Sequence, residues 1–120
     1  MLGIDIVYLT EFKIQIKDSS LEKIFTAFEL SQNSSIESLA GIFAAKEAFF
    51  KAIGKKENWL EIWIEKNPSS PSVHQGFVPR ARLRGGKPQL YSTLIKDNQR
   101  AEVSISHSGD YAVAIVMIND

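Results

Sequence analysis

The sequence predicts an α+β fold in which a mostly antiparallel sheet packs against one long helix. Two observations lead to this prediction. A stretch with helical periodicity covers about residues 35–53, and a series of short strands joined by hairpin turns follows it. Residues 2–8, "LGIDIVY", add a strand before the helix. At 120 residues the chain is expected to form one domain, residues 1–120, around a single core.

The composition is that of a globular protein, with 44% hydrophobic and 23% charged residues. The absence of cysteine excludes disulfides, thiolate metal sites and a cysteine nucleophile. No apolar run is long enough to span a membrane, and the start "MLGIDIVYLTEF" lacks the basic region of a signal peptide. We therefore expect a cytoplasmic protein, and neither a membrane nor a nucleic acid is expected as a partner.

The long helix has clear signals at both ends. Ser34 with Glu37 forms a capping box before it, and Gly54 is a natural stop after it. Earlier signals of the same kind predict one or two short helices; they pair Ser19 with Glu22 and Thr26 with Glu29.

Most of the strands are predicted in the second half of the chain. "WLEIWIEK" alternates as a strand does, and "FVPRARLRGGKPQLYSTL" reads as a strand, a Gly-Gly turn and another strand. His74 lies in the loop between them and is expected to be exposed. The span from Lys66 to Lys96 contains no acid, so its arginines form either a solvated strand face or a docking surface for an anion or acidic partner. These arginines are Arg80, Arg82 and Arg84.

A histidine lies at the end of a strand in the C-terminal hairpin "SISHSGDYAVAIV". With period two, His107 shares a face with Val103 and Ile105. From these residues alone, it is either a hydrogen-bonded histidine at a sheet edge or a ligand contact. Ser106 adjoins it, but neighbours in a strand point to opposite faces, which disfavours a serine nucleophile served by His107.

Two carboxylates fall where apolar residues are expected. On a helical wheel Glu47 lies within the apolar stripe of the long helix, and Asp5 lies inside the strand "GIDIV". A carboxylate removed from water must be paired, neutralised or bound to a metal. Pairing of Glu47 with Lys51, and capping of a turn by Asp5, would be purely structural. Alternatively, both acids hold Mg²⁺ together with water and a substrate pyrophosphate, and Lys51 and His107 are its charge partners.

Three segments, "GIDIV", "FAAKEAFFKAIG" and "VSISHSGDYAVAIV", resemble in order and separation the 4′-phosphopantetheinyl transferases, and most closely the short holo-acyl-carrier-protein synthase class. "FTAFEL" and "GGKPQLY" are similar to further segments of that family. The resemblance implies transfer of phosphopantetheine from coenzyme A to a serine of an acyl carrier protein, with 3′,5′-ADP leaving.

The resemblance also implies roles for individual residues. Asp5 and Glu47 would hold the Mg²⁺ that bridges the pyrophosphate, and Lys51 would neutralise charge on the phosphates. The attacking serine would lose its proton to water on the metal or to Glu47. The residues expected to bind coenzyme A are His107, Ser106, Lys51 and Lys46. Sites of the short class lie between subunits, so a homo-oligomer is expected, with a trimer favoured.

The chain departs from the family pattern in three places. Arginines usually stand at the positions of Glu11, where the acidic carrier docks, and of Ile42, and a glycine-rich turn usually replaces "KKENW". Arg80, Arg82 and Arg84 are a candidate replacement for the docking surface. The alternatives to an active transferase are a module of the same fold that binds coenzyme A or a carrier without transfer, and a structural oligomer whose acids form ordinary hydrogen bonds.

Overall fold

A computed structural model describes residues 1–17, 21–66 and 88–119 of the chain. Its helices and strands follow the predicted order. The helices are α1 (Leu9–Lys17), α2 (Ala27–Gln32) and α3 (Ile36–Ile53), and the strands are β1 (Leu2–Tyr8), β2 (Ile62–Glu65), β3 (Gln89–Ser92), β4 (Arg100–Ser108) and β5 (Tyr111–Asn119).

Two antiparallel sheets form in the described part of the chain. One has the strand order β1-β5-β4, and the other pairs β2 with β3. In the larger sheet Asp5 of β1 pairs with Ala114 of β5, and His107 of β4 pairs with Ala112. The hairpin between β4 and β5 turns at Gly109, whose φ of 57° suits glycine. The predicted α+β fold is confirmed, with two sheets in place of one.

The N-cap of helix α3 lies one residue later than predicted. The Ser35 hydroxyl, rather than that of Ser34, accepts a hydrogen bond from the Ser38 amide. At the other end Gly54 adopts the left-handed conformation and its amide donates to the Phe50 carbonyl, as predicted. The capping box of Thr26 with Glu29 begins α2, as predicted.

Helix α3 packs directly on the larger sheet because Gly3 has no side chain where β1 meets the helix. A Cβ on Gly3 of β1 would lie 1.9 Å from the Ala48 carbonyl oxygen and 2.7 Å from the Ala52 nitrogen. Only glycine at this position lets the two backbones approach so closely. This contact sets the position of β1 against the C-terminal half of α3.

The segment "WLEIWIEK" does not form a single strand. Residues Trp59–Glu61 form a 3₁₀ turn, and the strand begins at Ile62. Asn58 explains the difference, because its side chain accepts from the Leu60 amide and caps the turn. Ser19, His74, the strand proposed before the Gly-Gly turn, and Arg80, Arg82 and Arg84 lie outside the described residues.

The larger sheet packs one face against α3, and its other face is exposed in the single chain. Side chains from β1 and β5 make the open face apolar, and serines of β4 lie beside them. An apolar surface this continuous is typical of a contact between proteins. Its exposed apolar residues are Leu2, Ile4, Ile6, Tyr8, Tyr111, Ile115 and Met117.

Candidate active site

Asp5 lies where β1 meets the C-terminal half of α3. It points to the helix side of the sheet, as Gly3 does, since both are odd-numbered residues of the strand. The Lys51 ammonium donates to Asp5 Oδ1 at 2.9 Å. The Asp5 side chain is 15% exposed and that of Lys51 is 55% exposed. Asp5 therefore forms an ion pair at the edge of the core and does not cap a turn.

Glu47 lies one helical turn before Lys51 on the same side of α3. From Leu39 to Phe50 every residue of the helix is buried except Glu47. Its Oε1 lies 3.5 Å from the Lys56 ammonium, and the Glu47 side chain is 24% exposed. The ion pair of Glu47 with Lys51, considered from the sequence, does not form, because Lys51 turns to Asp5.

The chemistry of these two carboxylates fits a magnesium site completed by a substrate. Each acid uses one oxygen for its lysine, and within the described residues the second oxygens, Asp5 Oδ2 and Glu47 Oε2, have no hydrogen-bond donor. Mg²⁺ binds proteins through one or two carboxylates and keeps phosphate and water as its other ligands. No cluster of three or more potential ligands exists in the part of the chain that the structure describes.

His107 lies at the opposite end of α3. Its Nε2 donates to the Glu37 carbonyl oxygen at 2.9 Å, so Nδ1 is left for another partner. Gly41 makes room for this arrangement, because a Cβ there would lie 3.0 Å from His107 Nε2. Glu47 follows Glu37 by ten residues and Gly41 by six, which is about 15 Å and about 9 Å along the helix. A single chain thus keeps His107 apart from the two carboxylates.

Ser106 and His107 point to opposite faces of the sheet. His107 lies on the helix side, whereas Ser106 is exposed on the face that also carries the apolar residues of β1 and β5. The structure therefore does not bring these two predicted coenzyme A contacts together within one chain.

Lys46 lies in the core, away from the carboxylates. Its ammonium donates to Glu29 Oε1 at 2.7 Å and to the Ile24 and Trp59 carbonyl oxygens. Glu29 Oε2 accepts from the Ile64 amide, and both side chains of the pair are 0% exposed. Burial lowers the pKa of Lys46, and the Glu29 carboxylate partly offsets this effect. This position does not fit the coenzyme A contact predicted for Lys46, because its donors are used within the protein.

The model of the 4′-phosphopantetheinyl transferase superfamily matches residues 1–116. The chain belongs to this superfamily. A holo-[acyl-carrier-protein] synthase of Geobacillus sp. is 38% identical over 125 residues, covering 98% of this chain and 93% of the relative. The synthase of Nautilia profundicola is 33% identical over 127 residues, covering 98% of both.

Solved structures of the superfamily share the fold. Helicobacter pylori holo-[acyl-carrier-protein] synthase in complex with coenzyme A has a TM-score of 0.74 and 27% identity, covering 99% of this chain and all of that one. The synthase of Bacillus anthracis in complex with CoA (3′,5′-ADP) has a TM-score of 0.69 and 29% identity, covering 98% and 93%. The predicted family, fold and enzyme class, a phosphopantetheinyl transferase of the holo-[acyl-carrier-protein] synthase class, are confirmed.

The two positions at which the resemblance implies an arginine have different surroundings. Glu11 is exposed on α1, whereas Ile42 is fully buried in the core. An exposed position can contact another protein, but a buried one cannot.

None of the helices in the described part of the chain combines the length and the hydropathy needed to cross a bilayer.

Sequence reasoning missed two ion pairs made by residues of α3. It did not connect Glu29 with Lys46, although the capping box had already singled out Glu29. It also did not assign Lys56, although the departure of "KKENW" from a glycine-rich turn marked that segment. Both depend on contacts between residues far apart in sequence or across a turn, which periodicity does not report.

Proposed function

We propose that this chain transfers 4′-phosphopantetheine from coenzyme A to a serine hydroxyl of an acyl carrier protein, that the reaction depends on Mg²⁺, and that 3′,5′-ADP leaves. The observation that carries the proposal is a pair of partly exposed carboxylates: Asp5 contacts Lys51, and Glu47 lies one helical turn before Lys51 on the same side of α3. The complexes of the relatives from H. pylori and B. anthracis with coenzyme A support coenzyme A as the substrate. We further propose that residues 1–120 act as one domain.

Asp5 and Glu47 are the residues that would hold the metal. Mg²⁺, when bound, supplies positive charge against the pyrophosphate of coenzyme A. Lys51 is more than half exposed and reaches Asp5 through a long flexible side chain, so it can also reach a phosphate beside that carboxylate. Phosphoryl transfer needs mainly positioning and charge neutralisation, so this site requires no nucleophile of its own.

The bond changes of the transfer can be assigned without an enzyme-bound intermediate. The carrier serine oxygen forms a bond to the β-phosphorus of coenzyme A, and the bond from that phosphorus to the oxygen of 3′,5′-ADP breaks. The serine proton needs an acceptor near the attacking oxygen. Glu47 suits this role, because its carboxylate has two oxygens, of which one would bind the metal and the other would accept the proton.

We propose that the complete site is formed between copies of the chain, with a trimer favoured. His107 contacts the helical turn from Glu37 to Gly41, which lies at least about 9 Å along α3 from Glu47, and Ser106 faces the opposite side of the sheet from His107. A second copy could bring these groups to the carboxylates. The open apolar face around Ile4 and Ile115 supports such an assembly, since its burial would stabilise it.

The test is intact-mass spectrometry of an apo acyl carrier protein incubated with the chain, coenzyme A and Mg²⁺. We expect a gain of one phosphopantetheine, and no gain with Asp5→Ala or with Glu47→Gln. Glu47→Gln keeps the shape of the side chain and removes its charge, so folding should be nearly unchanged. Native mass spectrometry of the same sample reports the number of copies in the assembly.

Two results would contradict the proposal. Transfer that survives Glu47→Gln would remove the carboxylate from the reaction. Bound coenzyme A without transfer to any of several carriers would instead indicate a module that binds but does not react. The arginines Arg80, Arg82 and Arg84 remain the proposed docking surface for the carrier, and the cytoplasmic location remains a prediction.

A further inference from the structure

We propose that Lys56 is a mobile cation of this site, which neutralises Glu47 in the chain by itself and moves to a phosphate of coenzyme A when a divalent cation takes that carboxylate. This inference rests on the proposed function. It concerns a residue of the turn after α3, the segment "KKENW", which departs from the family pattern.

The first support is the balance of charge around the carboxylates. The negative charges of Asp5 and Glu47 are matched by the positive charges of Lys51 and Lys56, each pair in direct contact. A divalent cation bound to both acids adds two positive charges, and the pyrophosphate of coenzyme A adds one negative charge on each phosphate. The site is thus neutral before either binds and neutral again after both have bound, provided that the lysines stay nearby.

The second support is the way in which Lys56 is held. Its contact with Glu47 is long, at 3.5 Å, and its side chain is 63% exposed. The ammonium also lies 4.7 Å from the centre of the Trp59 ring. The Trp59 ring is itself stacked on Phe43, with ring centres 5.0 Å apart. Lys56 can therefore leave Glu47 and remain over a fixed aromatic ring, which keeps the cation at the site.

The third support is the position of this turn at the C-terminal end of α3. A helix C-terminus carries a partial negative charge and disfavours an anion. Phosphates that bind beside Glu47 therefore need compensating cations near the end of the helix. Lys51 and Lys56 lie there, and both already contact the proposed metal ligands. Lys55 also lies there, but it pairs with Glu57 at 3.4 Å instead.

The experiment compares Lys56→Gln with the matched control Lys55→Gln, which removes an equal charge from the adjacent position. Binding of Mn²⁺ alone is measured from the loss of the electron paramagnetic resonance signal of the free ion. Binding of coenzyme A is measured by calorimetry at saturating Mg²⁺. Circular dichroism confirms that both variants are folded.

Lys56→Gln is expected to change the two affinities in opposite directions. Binding of Mn²⁺ alone should become about threefold tighter, because the competing ammonium is gone. Binding of coenzyme A should become roughly tenfold weaker, because a charge-assisted contact to phosphate is lost. Lys55→Gln should leave both within about twofold of the wild type.

The outcomes separate this inference from the function on which it rests. If the wild type binds coenzyme A but Lys56→Gln behaves like Lys55→Gln, the inference is wrong and the proposed function stands. The same conclusion follows if Lys56→Gln moves both affinities in one direction. If the wild type does not bind coenzyme A at saturating Mg²⁺, the proposed function fails and the inference fails with it.

Discussion

Lys46 and Glu47 are neighbours in α3, yet their ion pairs differ in almost every respect. Lys46 and Glu29 are both 0% exposed, and each also makes hydrogen bonds to backbone groups. Glu47 and Lys56 are partly exposed, lie 3.5 Å apart, and Glu47 has an oxygen without a donor among the described residues. The first pair cannot exchange partners without leaving a buried charge. The second pair can exchange partners at little cost.

The difference shows how one helix serves structure and chemistry at once. Successive residues of a helix point about 100° apart, so Lys46 faces α2 and β2 while Glu47 points away from them and contacts Lys56. The Lys46–Glu29 pair has its full set of hydrogen-bond partners and holds α2, α3 and β2 together. The Glu47–Lys56 pair does not, so it stays available to a ligand. The charged residue that matters for stability and the one proposed for the reaction are thus adjacent in sequence and separate in space.

The largest expected effect is on the buried pair. Lys46→Met should lower the free energy of unfolding by about 3–5 kcal/mol, because it leaves the Glu29 carboxylate buried without its cation. Lys51→Met removes a half-exposed lysine and should cost less than about 1 kcal/mol. Urea unfolding followed by circular dichroism measures both. Equal costs for the two variants would show that the buried pair is not the stronger one.

The next effect tests whether the exposed carboxylates depend on the fit of β1 to α3. Gly3→Ala places a methyl group against the backbone of Ala48 and should cost about 1–3 kcal/mol. It should also weaken Mn²⁺ binding, because it shifts Asp5 relative to Glu47. Gly109→Ala strains a turn with open space around it and should cost about 1 kcal/mol. Unchanged Mn²⁺ binding in Gly3→Ala would show that the proposed metal ligands do not depend on this contact.

The smallest effect concerns a lysine whose hydrogen bonds go to neutral groups. Lys66 donates to the hydroxyl of Ser38 at 2.9 Å, and burial lowers its pKa below the ordinary value of 10.5. Between the lowered pKa and 10.5 the unfolded chain binds more protons, so this residue makes the protein more stable as the pH rises.

Lys66→Met tests this pH dependence. Relative to that variant, the wild type should gain free energy of unfolding as the pH rises toward 10.5. Urea midpoints at several pH values measure the difference. A gap between the two proteins that stays constant with pH would show that the folded and unfolded pKa values of Lys66 are the same.

The order of elements could be predicted because it depends on local signals. Period two in β4, the apolar runs of β1 and β5, the glycine after α3 and the capping box of Thr26 with Glu29 act over a few residues. The cap of α3 was displaced by one residue, because Ser34 and Ser35 are both good caps and packing decides between them. The prediction of a single strand over "WLEIWIEK" was wrong, because a 3₁₀ turn capped by Asn58 can also carry alternating apolar and polar residues.

The sequence by itself determined which residues are chemically unusual, since an acid in an apolar stripe is visible without coordinates. Only the tertiary structure decided their partners: Asp5 with Lys51, Glu47 with Lys56 and Lys46 with Glu29. The reason is that an ion pair depends on the distance between atoms, and that distance is set by how strands and helices pack. The helical wheel placed Glu47 inside the buried stripe, but in the folded chain its side chain is 24% exposed and open to a ligand.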